Sequence, residues 1–327
     1  MLSRTAENLY WLGRHLERAD NLARLADVNV QASTELLATD GEEGSQTWDA
    51  VIATIGARET FDTACAENPA LTPVDFVIYS LKYPQSLRST ISAARTMARE
   101  IREYLSREVF EEINRLYLTA SRAATDERSL RTLYANVKRS VAAILGLFDN
   151  TVLLTEGREW FRCGLFLERA DMTSRIIDAK YYILLPSAEH VGGPVDRYQW
   201  MAVLRSASAL EAFRKRHRGS VTGPRVADLL MFDRGFPRSL VFCLQALRRH
   251  FERATDETPD ARSVRAARVI ALLELDLRAA NSANVIRSGL HEFLDEFQIR
   301  LQDFDRALME DIFQAHITAD LPDGPTA

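Results

Sequence analysis

Apolar residues recur at helical spacing along almost the whole chain, and no stretch alternates apolar and polar positions as a half-buried strand would. The spacing predicts a first helix that starts near Ser3 or Thr5, either of which could cap it, and ends near Leu37. A polar break, DGEEGS, covers 40–45, and a short helix follows over 48–55. After a loop at Asn68 and Pro69 comes a short apolar segment over 74–81. Pro84 opens a long helical region to about 120, interrupted near Ser106, and another helix spans 127–148. The pattern resumes over 157–185, stops at Pro186, and breaks clearly at HVGGPVD (190–196). Further helices are predicted over 197–213, 226–231, 237–253, 261–279 and 284–317, before the tail LPDGPTA, where fraying is expected. The predicted class is all-α.

The chain also repeats itself. LGRHLERADNLARLAD (12–27) returns as CGLFLERADMTSRIID (163–178), so that Glu17-Arg18-Ala19-Asp20 matches Glu168-Arg169-Ala170-Asp171 at an offset of 151 (168 − 17). Trp48 matches Trp200 at 152 (200 − 48), and Tyr83-Pro84-Gln85-Ser86-Leu87 matches Phe236-Pro237-Arg238-Ser239-Leu240 at 153 (236 − 83). Anchors at a nearly constant offset predict two pseudo-equivalent halves, 1–150 and 151–327, together one compact helical bundle packed through the two Glu-Arg helices.

On a helical wheel Gly13, Glu17, Asp20, Arg24 and Asp27 fall within about 80° of one another. Leu9, Leu12, Leu16 and Leu22 border them, which is unlike a simple solvated face. The second copy repeats the stripe as Gly164, Glu168, Asp171, Arg175 and Asp178. Glycine inside a helix costs roughly 1 kcal/mol relative to alanine, so its return predicts a close backbone approach where the two copies cross. Two readings of the charges stand side by side. They are a buried lattice that fixes register, or a polar cleft whose carboxylates take an ammonium or metal and whose arginines take a carboxylate or phosphate. The candidate site residues are Glu17, Arg18, Asp20, Arg24, Glu168, Arg169, Asp171 and Arg175.

Composition narrows the field. In 327 residues, 46% hydrophobic and 27% charged, only 14 Gly and 10 Pro occur, which favours long helices. A net charge of −5 gives no general attraction to nucleic acid, and no apolar run is long enough for a membrane span. The N-terminus lacks the pattern of a secretory signal. The three scattered cysteines suit free thiols in a cytoplasmic protein. Arg88, Arg95, Arg99 and Arg102 make a cationic stripe, either a solvated face or a contact for an anion or partner. The basic loop at 214–225 carries no interleaved aromatics, which weakens a nucleic-acid reading. No two histidines stand at i,i+3 or i,i+4 and none follows Glu at +3, so no metal site is expected beyond an all-carboxylate Mg²⁺ site that Glu17, Asp20, Glu168 and Asp171 leave open. Phosphate-binding and hydrolase motifs are absent, and Ser86 and Ser239 suit helix starts better than nucleophiles.

The opening MLSRTAENLYWLGRHLERADNLARL, the second FLERADMTSRIIDAKYY, and the motifs YPQS and FPRS resemble the bacterial alpha-E family, a helical domain with paired Glu-Arg motifs, over essentially the whole chain. The resemblance marks Glu17-Arg18 and Glu168-Arg169. It implies a partner, a circularly permuted ATP-grasp protein, with ATP and Mg entering through that partner, and a role in making or modifying an amide bond. The expected function is therefore a non-catalytic partner of an amide ligase. A stand-alone enzyme using the carboxylate and arginine cluster, or a structural scaffold, are the alternatives. Leu165 stands where the first copy has Arg14, so a function needing that guanidinium is not symmetric.

Overall fold

A computed structural model describes residues 1–36, 44–123, 126–182, 193–256 and 263–314. Among these residues the chain is helical, with no strand. Two long helices, α1 (Ser3–Leu36) and α7 (Glu156–Tyr182), form the centre and make the most extensive packing between any two elements. Their polar stripes do not weaken them as core elements. Both are surrounded by other helices, so apolar residues on every other side of α1, such as Leu9, Leu12, Leu16, Ala19 and Leu22, are buried as well. They run in the same direction, with Met1 beside Glu156, Gly13 against Phe161 and Leu165, and Glu17 opposite Arg169.

The other elements surround this pair in two similar sets. α4 (Leu87–Glu100) lies on α1, and α11 (Leu240–Asp256) lies on α7. α6 (Glu127–Thr151) also packs on α1 and α14 (Leu290–Leu308) on α7, while α5 (Arg107–Arg122) bridges α4 and α6, and α12 (Val264–Ala279) bridges α11 and α14. α2 (Gly44–Thr54) and α8 (Pro194–Ser206) each touch both central helices. α3 (Arg58–Glu67) follows α2 and α9 (Leu210–Arg216) follows α8; a short α10 (Gly223–Ala227) and α13 (Ser282–Ser288) complete the order.

Ser86 and Ser239 are helix caps. Ser86 Oγ accepts from the Ser89 amide at 3.1 Å, and Ser239 Oγ from the Phe242 amide at 3.2 Å, each satisfying a first-turn donor. Both hydroxyls also donate backwards, to the Ser80 and Asp233 carbonyls. The predicted interruption near Ser106 is real: Ser106 caps α5 through the Val109 amide. Three helices differ from the expectation. α3 went unpredicted because only Phe61 on it is fully buried. The predicted helix over 197–213 is broken at Ser208, which takes φ 52°. The one over 284–317 is broken at Gly289, with φ 121°. The DGEEGS break (in part), the stop at Pro186, the start of the HVGGPVD turn and the tail lie outside the described residues.

Candidate functional site

Gly13 and Gly164 let the two central backbones meet. A Cβ on Gly13 would lie 2.1 Å from the Phe161 carbonyl oxygen, and one on Gly164 would lie 1.9 Å from that of Tyr10. One turn further on, the two Glu-Arg motifs exchange partners. Arg18 donates to Glu168 through Nε at 2.6 Å and Nη2 at 2.8 Å. Arg169 donates to Glu17 through Nε at 2.9 Å and Nη2 at 2.7 Å. Each is a two-pronged guanidinium–carboxylate pair between helices. Both glutamates are 0% exposed. Burial alone would push their pKa values up, but the surrounding guanidinium groups outweigh it and hold both at about 2. Within each helix, Arg24 Nε reaches Asp20 at 2.8 Å and Arg175 Nε reaches Asp171 at 2.9 Å. All eight residues expected from the sequence thus meet at one crossing.

The two sides of the crossing are unequal, and the difference lies in residues that the helical wheel did not reveal. Beside Glu17, Arg238 donates to Glu17 at 2.9 Å, Asn21 at 2.8 Å and Asp20 at 2.6 Å, while Arg24 Nη1 reaches the Ser208 hydroxyl. Beside Glu168, the matching positions hold Gln85 for Arg238, Met172 for Asn21 and Gly56 for Ser208. Gly56 keeps the left-handed backbone of Ser208, with φ 67°, but offers no hydroxyl. Arg14 supplies the second cation for Glu168, through Nε at 3.0 Å, and its Nη1 lies 2.8 Å from Asp305. That last contact is ionic without hydrogen-bond alignment, so Arg14 Nη1 is buried without an aligned acceptor. Tyr10 donates its hydroxyl to Asp305 at 2.5 Å.

A cavity of about 250 Å³ opens on the Glu168 side. Arg14, Arg18, Arg175, Glu168, Asp171 and Asp305 line it with charge, and Tyr83, Gln85 and Gln302 with neutral polar groups. FPRS was a visible motif, and Arg238 within it was the available signal; Asp305 carried none, lying 295 residues from Tyr10.

His15 is buried on α1, with its ring 5.7 Å from that of Trp11. Burial and then Arg18 lower its pKa from 6.5 to about 4. The folded value lies below the unfolded one, so the neutral ring stabilises the fold fully above pH 6.5, and this contribution is lost as pH falls towards about 4. Phe166 stands at the corresponding position before the Glu-Arg pair of α7. His15→Phe should therefore remove on the order of 2 kcal/mol from the loss of stability between pH 6.5 and 4.5, read by urea unfolding. His250, whose pKa is lowered by burial, acts with the same sign, and His291, raised by its bond to Asp178, with the opposite sign. Both persist in the variant, so the difference reports His15; identical pH profiles would refute the assignment.

The cationic stripe lies away from the crossing. Arg95 donates to Asn114 at 2.8 Å and sits 4.5 Å from the Tyr117 ring centre. Arg102 donates to the Leu105 carbonyl and covers Phe110. Arg88 is half-buried and Arg99 exposed. Two of the four thus pack against α5 or the turn leading into it. Among the described residues no group of three or more His, Cys, Asp or Glu side chains is placed to hold a metal ion. Cys163 and Cys243 are buried, Cys65 is half-buried, and all three are free. No helix among the described residues is long and apolar enough to cross a membrane.

Fold and site together define an all-α domain built on a reciprocal Glu-Arg exchange between two central helices. The chain belongs to the Alpha-E family, a predicted alpha-helical domain with a conserved ER motif, whose model matches residues 1–313. It is 23% identical over 324 residues to an uncharacterized protein of Mycobacterium bovis and to two of Mycobacterium tuberculosis, the match covering 92% of this chain and 36% of each relative. The chain thus spans about a third of the length of these curated relatives. No solved structure matches it.

Proposed function

We propose that this protein is a cytoplasmic helical partner of an ATP-grasp-type amide ligase, and that it contributes a ligand-binding cavity beside Glu168, with ATP and Mg held by the partner. The observation that carries the binding role is the cavity against Glu168 and Asp171: its charged lining is already compensated pair by pair, which suits holding a ligand more than abstracting a proton. The family resemblance supplies the identity of the partner. The relatives add support, since they set a domain of this kind within a far longer chain. On this reading the halves 1–150 and 151–327 descend from one ancestral unit. Support comes from the paired glycines, the paired serine caps and the two left-handed positions, Gly56 and Ser208. A scaffold reading accounts for Glu17, whose carboxylate is held by Arg169, Arg238 and Asn21, but leaves the cavity beside Glu168 without a role.

The test is co-expression with the ATP-grasp protein, copurification, and mass spectrometry of small products formed with ATP. A stable complex whose product yield falls about tenfold when the helical chain is withheld is expected. A ligase that neither associates with it nor loses activity without it overturns the proposal.

A further inference from the structure

The Glu17 side shows what fits the open space on the other side. Arg238 bonds Glu17, Asp20 and Asn21. The counterparts of those three residues, Glu168, Asp171 and Met172, all line the cavity, and so does Gln85, the counterpart of Arg238 itself. The cavity therefore corresponds to the place of the Arg238 head group, which Gln85 does not supply; Arg14, the second cation for Glu168, comes from α1 instead. We propose that the cavity beside Glu168 binds a guanidinium or primary-ammonium group, seated where Arg238 sits beside Glu17.

Charge agrees with shape. Beside Glu17, the guanidinium groups of Arg24, Arg169 and Arg238 face the carboxylates of Glu17 and Asp20, one positive charge in excess. Beside Glu168, Arg14, Arg18 and Arg175 face Glu168, Asp171 and Asp305, which balance. One added cation brings the second side to the charge that the first already holds in a buried setting. Asp20 is bonded by both Arg24 and Arg238 on the same oxygen. Asp171 is bonded by Arg175 and has a face on the cavity. Asp171 is the main acceptor for the incoming group, with the Tyr83 hydroxyl and the Gln85 and Gln302 carbonyl oxygens completing the ring of acceptors. Leu22, Leu167 and Leu301 provide the apolar wall against which an alkyl stem can lie.

This inference builds on the cavity as a ligand site, and it is tested on the isolated protein, so the absence of an ATP-grasp partner would not touch it. The probes are agmatine, which carries both cations and no carboxylate, L-arginine, and glutarate, which carries only carboxylates. Calorimetry is expected to detect agmatine and L-arginine and not glutarate. Gln85→Arg supplies the missing head group from within; it should keep the fold and weaken agmatine binding at least about tenfold. Asp171→Asn should weaken it similarly, while Arg99→Gln, far from the cavity, should not. Binding of glutarate alone, of L-arginine without agmatine, of no probe, or of agmatine undiminished in a folded Gln85→Arg protein each overturns the proposal.

Discussion

Glu17→Gln is expected to lower the free energy of unfolding by about 3–5 kcal/mol, and Glu168→Gln by less. Glu17 is fully buried and accepts from Arg169, Arg238 and Asn21. Its loss leaves the three guanidinium groups of Arg24, Arg169 and Arg238 around Asp20 alone, two positive charges in excess. Loss of Glu168 leaves Arg14, Arg18 and Arg175 facing Asp171 and Asp305, and the adjoining cavity can admit water to the freed charges. Glu111, paired with Arg107 on an exposed face of α5, is the control, and Glu111→Gln should give no measurable change. Both buried carboxylates have folded pKa values below the unfolded 4.5, at about 2. Their contribution is therefore complete above pH 4.5 and lost as pH falls towards 2. Denaturant titration at pH 7 decides the matter: equal losses for the two variants, or losses no larger than the control, would contradict the account.

Gly164→Ala should be equally severe, in defiance of helix propensity. Alanine in mid-helix is worth roughly 1 kcal/mol over glycine. Here the added Cβ would lie 1.9 Å from the Tyr10 carbonyl oxygen, which is backbone and cannot rotate away. Relief requires the two helices to part by about an ångström, and the Glu-Arg pairs one turn away do not survive such a shift. The expected loss is on the order of 3–5 kcal/mol, or a Tm lower by roughly 10 °C. Gly13→Ala should behave alike, since its Cβ would lie 2.1 Å from the Phe161 oxygen. Gly146 on α6 provides the opposite case, because nothing lies within 4 Å of a Cβ built there. Gly146→Ala should stabilise by about 0.5–1 kcal/mol. Thermal melts of the three variants test the contrast, and a stabilised Gly164→Ala protein would remove the crossing glycines from the account.

The sequence carried the all-α class, the central helices and the glycines at their crossing, because those follow from spacing within one helix. It carried the eight charged residues too, though not who holds whom. Spacing pairs Asp20 with Arg24, as found, but the partner of Glu17 is Arg169, 152 positions away, and no local pattern announces it. Arg238 was visible in a motif and its reach to α1 was not, since that depends on where the turn before α11 lands. Ser208 broke a predicted helix because a left-handed serine leaves none of the punctuation that glycine or proline would. The cavity was legible only as a question, and its answer depended on Gln85, Met172 and Gly56, residues unremarkable on their own.

The reciprocal exchange also sets an order of events during synthesis. At about 5–20 residues per second, a ribosome makes Glu17 roughly 8–30 s before Arg169, which follows 152 positions later. For that interval the first half carries a carboxylate meant for burial with no counter-ion to bury it against, so the nascent chain must keep this helix hydrated or shielded until its twin emerges.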